Sequence, residues 1–346
     1  MKAIGKTKFD SYSLNGIPRG CELCVVGRKM VLFITGVCSR NCSYCPLSEK
    51  RKNVDKIWAN ERECKNVSEV FDEIKKSEAQ GMSITGGDPL IRLDRTLEYA
   101  SAIKKKFGKK FHIHIYLSTK LVNEDNLRKL SSVIDEVRFH PDIDSNNINL
   151  EIEKIKFASK FWPVENIGVE IPLFPDKIDK EIEMLLKLES YISFVNLNEL
   201  EIGESNLNYM AKKYKLQEGG YVVSGSLEGG LKIIEHFKNK KSKLKIHLCT
   251  ANTKNWFQFK NRLKNYEVLP FGKKTSEGMV IYFVVEDAGQ IEKIKNLKGI
   301  KFYNDVEKKR IIISNKDVRK LMNKFDVFRV EEFPTADRIE VERGRI

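Results

Sequence analysis

Three cysteines stand close enough along the chain to share one centre. Cys38, Cys42 and Cys45 lie in the run Gly36-Val37-Cys38-Ser39-Arg40-Asn41-Cys42-Ser43-Tyr44-Cys45-Pro46, a C-x3-C-x2-C spacing. Three thiolates can hold three irons of a cubane and leave the fourth iron open to chelate a further ligand. A zinc site closed by protein wants four ligands, and this run supplies three. Six of the seven cysteines fall within the first 64 residues. Reducing cytosol keeps thiols free, so the clustering suggests metal, cluster or redox chemistry rather than disulfides. A second segment, Thr85-Gly86-Gly87-Asp88-Pro89, pairs two glycines that permit close backbone approach with an acid.

The triad spacing, with Tyr44 just before the last cysteine, resembles the signature of the radical SAM superfamily across residues 29–200. The stretches GCELCVVGRKMVLFITGVCSRNCSYCPLSEKRK, SITGGDPL and the Cys249 region resemble an archaeal group within it, related to pyruvate formate-lyase activating enzyme. The resemblance implies a [4Fe–4S] cluster on Cys38, Cys42 and Cys45. Its open iron would bind S-adenosylmethionine (SAM), and electron transfer would yield a 5′-deoxyadenosyl radical. It also implies that Gly86, Gly87 and Asp88 hold the methionine amino group, with Asp where the family often has Glu. Ser118 and Thr119 end the third expected strand and would meet the methionine carboxylate or the ribose. Arg138 and His140 end the fourth, Glu170 lies in the fifth, and Asn196, Asn198 and Glu199 end the sixth. Polar groups on apolar parallel strands need partners when buried. SAM and substrate would serve, as would internal pairing such as Arg138 with Glu170. His112 and His114 read as packing or solvent-facing residues.

A second metal set is also readable. Cys21 and Cys24 form a C-x2-C before the first strand, and Cys249 ends KLKIHLC with His247 on the same strand face. These three thiols could hold an auxiliary iron–sulfur cluster. With His247 as fourth ligand they could hold zinc, and a redox pair is the third reading. Cys64 reads as a small core residue.

These residues must be positioned by elements. KMVLFITG at 29–36 is an apolar, β-branched run with a glycine stop, the mark of a buried parallel strand. Helix-like and strand-like segments then alternate: helices near 67–80, 92–107, 123–133, 149–160 and 177–189, strands near 81–87, 111–119, 135–140, 166–174 and 192–200. A glycine-rich turn is expected at 219–230, a helix at 231–238 and one more strand at 243–249. The pattern predicts an α/β chain, a partial (β/α)6 radical SAM barrel over 31–250. An N-terminal extension with the C-x2-C would occupy 1–30, and a smaller basic α+β domain 251–346.

The charge is uneven. Residues 205–346 carry 30 Lys+Arg against 17 Asp+Glu, out of totals of 62 and 48. Such a bias is a footprint for polyanions. Lys254, Lys260, Arg262 and Lys264 interleave with Trp256, Phe257 and Phe259, and Lys308, Lys309 and Arg310 form a further cluster. At helical spacing Trp256 and Phe259 are expected in the core. On this basis the expected substrate is RNA, tRNA first, bound by the basic C-terminal domain. A protein-modifying or glycyl-radical-activating enzyme is the alternative, and a small-molecule cofactor-biosynthesis enzyme the next. Any of them needs a low-potential electron donor. No apolar run approaches the roughly 18–20 residues of a bilayer span, and the first residues lack a secretory core. The expected location is the cytoplasm.

Overall fold

Every second residue of the parallel strands is apolar and fully buried: Met30 and Leu32, Met82 and Ile84, Ile113, Ile115 and Leu117, Val137 and Phe139, Val195 and Leu197, Ile246 and Leu248. The residues between them are mostly polar. The period of two therefore sorts one apolar face from one polar face. A computed structural model describes residues 5–218 and 220–346. Residues 1–4 of the expected N-terminal extension and Gly219 of the expected glycine-rich turn lie outside the described residues.

Contacts divide the chain into two units, one running to Lys75 and then over Ala79–Phe259, the other combining Lys76–Glu78 with Lys260–Ile346. The first unit begins with β1 (Gly5–Lys6), β2 (Tyr12–Leu14), α1 (Arg19–Val25), β3 (Lys29–Phe33), β4 (Ile57–Ala59), β5 (Arg62–Cys64), α2 (Val67–Lys76) and β6 (Gly81–Thr85). It continues with α3 (Leu93–Phe107), β7 (His112–Ser118), α4 (Glu124–Ser131), β8 (Glu136–His140), α5 (Ile148–Lys156), β9 (Ile167–Pro172) and α6 (Ile178–Leu188). It ends with β10 (Phe194–Asn198), α7 (Leu207–Lys213), α8 (Ser226–Asn239) and β11 (Lys245–Cys249). The sheet order is β1-β2-β11-β10-β9-β8-β7-β6-β3-β4-β5. Neighbours from β3 through β11 pair in parallel, seven strands in all. Antiparallel strands pair with both outer members, β2 with β11 and β4 with β3. The parallel sheet thus stays open, a partial barrel.

The main hydrophobic core lies on the outer face, under helices such as α3, α4, α6 and α8. Asn123 starts α4 by accepting the Asn126 N–H at 2.9 Å. Cys64 sits in this core, 5% exposed. Helix α1 lies on the inner face instead. A side chain at Gly20 would stand 2.6 Å from the Arg138 guanidinium and 2.7 Å from the His114 ring, so only glycine fits there. The expected N-terminal extension is therefore an integral part of the barrel, supplying an edge hairpin and an inner helix.

The second unit has α9 (Lys260–Asn265), β12 (Lys273–Lys274), β13 (Val280–Val285), α10 (Ala288–Lys295), β14 (Phe302–Asp305), β15 (Arg310–Ile313), α11 (Val318–Leu321), β16 (Phe328–Glu332) and β17 (Glu340–Arg345). Its strands order as β14-β15-β13-β16-β17, with β12 on β13. The π-helical turn Thr253–Phe259, expected in the C-terminal domain, belongs to the first unit. No described helix is long and apolar enough to cross a membrane.

Candidate active site

The triad loop leaves the C-terminal end of β3 and doubles back on itself. Gly36 N–H donates to the Val54 carbonyl at 2.8 Å, and Asn53 N–H to the Gly36 carbonyl at 3.0 Å. A Cβ at Gly36 would fall 1.7 Å from the Arg51 carbonyl oxygen. The Gly86–Gly87 turn packs on the same loop: Gly87 N–H donates to Thr35 and Asp88 N–H to Val37. Gly86 has φ +149°, and a Cβ at either glycine would sit 2.3 Å from a carbonyl oxygen of Thr35 or Val37. The close approach that these glycines allow is to the triad loop itself.

Three braces hold this loop. Asp88 is fully buried. It accepts hydrogen bonds from Ser39 Oγ at 2.5 Å, Ser118 Oγ at 2.8 Å and the Leu90 N–H at 3.0 Å. Arg40 forms the second brace. Its guanidinium pairs with Glu151 at 2.9 Å and donates to Thr119 Oγ1 at 2.7 Å and the His140 carbonyl at 2.8 Å. Thr119 also donates to Glu151. In the third, Asn206 Nδ2 donates to the Tyr44 carbonyl at 2.9 Å and Ser205 Oγ to the Cys45 carbonyl at 2.8 Å. The loop is thus fixed to the ends of β6, β7 and β8, to α5 and to the segment after β10.

Cys38, Cys42 and Cys45 are free and half-buried. Burial, then the charges of Asp88, Cys42 and Cys45 opposed by the Arg40 N–H, raises the Cys38 thiol above its ordinary range. Burial likewise raises Cys42, against the Arg40 charge. Neutral thiols release protons on metal binding. Among the described residues no three His, Cys, Asp or Glu side chains are already drawn to metal-ligand distance. The donor set still fits: three free thiols stand on one braced loop. Tyr44 stacks edge-on to Phe174 at 5.0 Å, and its hydroxyl hydrogen-bonds His140 Nε2 at 2.9 Å. The other ring nitrogen, Nδ1, meets the Glu170 carbonyl at 2.9 Å. A carbonyl only accepts, so Nδ1 carries the proton and Nε2 accepts from Tyr44. Burial lowers the His140 pKa, which keeps that neutral form.

Below the rim the inner strand face forms one connected network. Glu136 and Glu170 pair with Arg138 at 2.5 and 2.8 Å. Glu170 accepts from Asn198 Nδ2 at 3.0 Å, and Asn198 faces Asn196 at 3.4 Å. Asn196 Oδ1 takes His247 Nδ1 at 2.7 Å and the Cys21 thiol at 3.4 Å. Arg138 Nη1 also donates to Cys21 Sγ at 3.3 Å. Despite burial, which raises a carboxyl, Arg138 and Asn198 hold the Glu170 pKa below its ordinary value. Burial pushes the Cys21 thiol up to about 12, the Arg138 charge opposing it, and drives His247 down to about 4.

Asp88 and Thr119 brace the triad loop. The internal pairing of Arg138 with Glu170 is present. Glu199 accepts the Ala251 N–H at 2.8 Å. It lines a cavity of about 350 Å³ with Asp10, Tyr12, Tyr221 and Trp256, away from the triad. His112 and His114 pack inside the barrel, His114 fully buried against Tyr116. Trp256, expected in the core, is 59% exposed, and Phe259 is half-buried. The basic cluster is also changed: Arg310 is fully buried among Asp305, Glu332 and Glu340, and Lys308 pairs with Glu332. Lys254 pairs with Glu201 and Lys260 with Glu277. Ser39, Arg40, Glu151 and Asn206 were not singled out from the sequence. Ser39 and Arg40 occupy spacer positions between cysteines, the one signal that would have drawn attention to them.

The radical SAM superfamily model matches residues 32–188. A protein of Methanocaldococcus jannaschii, provisionally described as a glycyl-radical enzyme activating enzyme, is 34% identical over 362 aligned residues. The match spans 97% of this chain and 94% of that one. Two structures of TsrM, a radical SAM methyltransferase from Kitasatospora setae, match with TM-scores of 0.38 and 0.41 and identities of 9% and 10%. They cover 56% and 64% of this chain, which spans 43% and 54% of theirs.

Proposed function

Because the chain belongs to the radical SAM superfamily, with a [4Fe–4S] cluster and SAM as its cofactors, we propose that it is an activating enzyme whose target is a glycine of a partner protein. The observation that carries this reading is the 34% identity along 97% of the chain to a relative so described. When bound, the cluster and SAM supply one-electron reductive cleavage of a C–S bond, and with it an agent that takes a hydrogen atom.

The chain's own residues do the holding. Cys38, Cys42 and Cys45 offer the thiolates. Ser39 and Arg40 fix the loop to Asp88 and Glu151, so its backbone need not reorganise. Tyr44 and His140 support its far side. Gly86, Gly87 and Ser118 frame the rim where we place SAM, near Asn196 and Asn198 of β10. A low-potential one-electron donor completes the system. The paired state of Arg310, Lys308 and Lys254 weakens the case for RNA, since a phosphate would have to compete with carboxylates already in place.

The test is anaerobic. Reconstituted protein with dithionite and SAM should release 5′-deoxyadenosine. Adding a glycyl-radical protein from the same genome should raise that release and give a carbon-centred doublet in electron paramagnetic resonance. If the doublet is absent and a tRNA pool gains a modified nucleoside instead, the activating reading is wrong.

A further inference from the structure

The fold sets α1, with Cys21 and Cys24, against the inner face of β10, whose neighbour β11 ends in Cys249, although 225 residues separate Cys24 from Cys249. Cys21 and Cys24 lie three apart on α1, so both face the same side of the helix. Cys249 ends β11 and is 4% exposed, with Gln258 Nε2 at 3.3 Å from its sulfur. All three are free. The pairing of β10 with β11 puts His247 opposite Asn196 and Cys249 opposite Asn198.

His247 is the independent observation. It is fully buried, and its Nδ1 meets Asn196 Oδ1, an acceptor, at 2.7 Å. The proton therefore sits on Nδ1, and Nε2 carries a bare lone pair. Among the described residues that nitrogen has no hydrogen-bond partner. A buried imidazole oriented through one nitrogen and bare at the other is how a metal-ligating histidine is held. Asn196 binds Cys21 through the same oxygen, so it orients a thiol and an imidazole at once. The surroundings suit an anionic thiolate centre. Arg138 donates to Cys21 and Gln258 to Cys249.

We propose that Cys21, Cys24 and Cys249, with His247 at the fourth position, form a second thiolate-ligated metal centre inside the barrel, distinct from the Cys38, Cys42 and Cys45 triad. The ligand class is a thiophilic metal, as an iron–sulfur cluster or as zinc.

The test uses the full-length chain carrying Cys38→Ala, Cys42→Ala and Cys45→Ala, so that any metal left belongs elsewhere. It is loaded anaerobically with iron and sulfide in one arm and with zinc alone in another. Metal per chain is read by mass spectrometry and clusters by visible absorption. Iron with sulfide-to-iron absorption, or one zinc per chain, supports the centre, and each names its metal. Adding Cys249→Ser should remove either, and His247→Asn should alter the absorption or the metal affinity. Because these variants could fold poorly, alkylation of half-exposed Cys24 is followed in the same protein. Loading should slow it at least about tenfold, and a chelator should restore it. Metal that survives Cys249→Ser, no metal at all, or a Cys21–Cys24 disulfide in its place overturns the proposal. None of these outcomes depends on whether the partner is a glycyl-radical protein.

Discussion

Arg138 in the barrel and Arg310 in the C-terminal unit are both closed off from solvent, yet they are satisfied in different ways. Arg310 meets a carboxylate with each nitrogen: Nε with Asp305 at 2.9 Å, Nη1 with Glu340 at 3.0 Å and Nη2 with Glu332 at 2.7 Å. Arg338 and Lys308 share those carboxylates, so the group is closed. Arg138 has two carboxylates, a thiol and the faces of Tyr116 and Phe194. Its Nη2 lies 2.5 Å from Glu136 but off the line that a hydrogen bond needs, and His114 Nδ1 and His247 Nε2 nearby are bare among the described residues. Buried polar groups are normally satisfied. A closed ring of charges is architecture, whereas a buried network with spare donors and lone pairs is built around something it holds. In the C-terminal unit Arg310 and Lys308 therefore serve the fold, and basic composition overstates the free charge there.

The largest expected effect tests the barrel side of this contrast. Cys38→Ala, or the same change at Cys42 or Cys45, should reduce 5′-deoxyadenosine release to background, while the thermal transition of the C-terminal unit stays in place. Arg310→Met attacks the other side. Removing one partner of a buried ion-pair network costs about 3–5 kcal/mol, so calorimetry should show that unit melting earlier. SAM cleavage per bound iron, measured below the new transition, should be unchanged. A matching loss of cleavage would mean that the two regions are not separable in the way their arginines suggest. Arg40→Ala is smaller and more local. Groups that orient metal ligands typically matter by about 10–100-fold, and cluster occupancy or cleavage rate should fall within that range with little change in melting.

The cysteine triad, the Gly-Gly-Asp turn and the alternating helices and strands were legible because each is written in local spacing. The braces were not. Arg40 and Glu151 are 111 residues apart, and only the parallel sheet brings α5 beneath the triad loop. The strands β4 and β5 have three residues each, too few to show a period. Trp256 was misplaced because its spacing was judged at 3.6 residues per turn. The segment is a wider π-turn, which rotates the ring to the surface. The charge bias was real but misassigned. Residues 205–259, in the first unit, hold 10 Lys+Arg against 3 Asp+Glu, and residues 260–346 hold 20 against 14. Arg310 stands in the basic run Lys308–Arg310, yet its strand registers it opposite Asp305 in a closed network. The paired cations in that unit cannot be told from free ones by composition.

Glu181 sharpens the comparison from a third direction, because it is a buried acid with neither Arg138's partners nor Arg310's. It sits on α6, 1% exposed, accepting only the Phe174 N–H at 3.4 Å, and its second oxygen has no hydrogen-bond partner among the described residues. Burial raises its pKa to about 8, against the opposing pull of the Phe174 amide and Lys177. An unfolded glutamate titrates near 4.5. Between those two values the native chain binds the extra proton. The stability contributed by the neutral acid is therefore complete below about pH 4.5 and is lost progressively until pH passes about 8. Glu181→Gln keeps the shape and stays neutral, so it should flatten that part of the stability profile. It should stabilise the first unit by about 1–3 kcal/mol at pH 8 and change little at pH 5. Urea unfolding at the two pH values measures the difference. An equal effect at both would show that Glu181 is held by its packing and not by its proton.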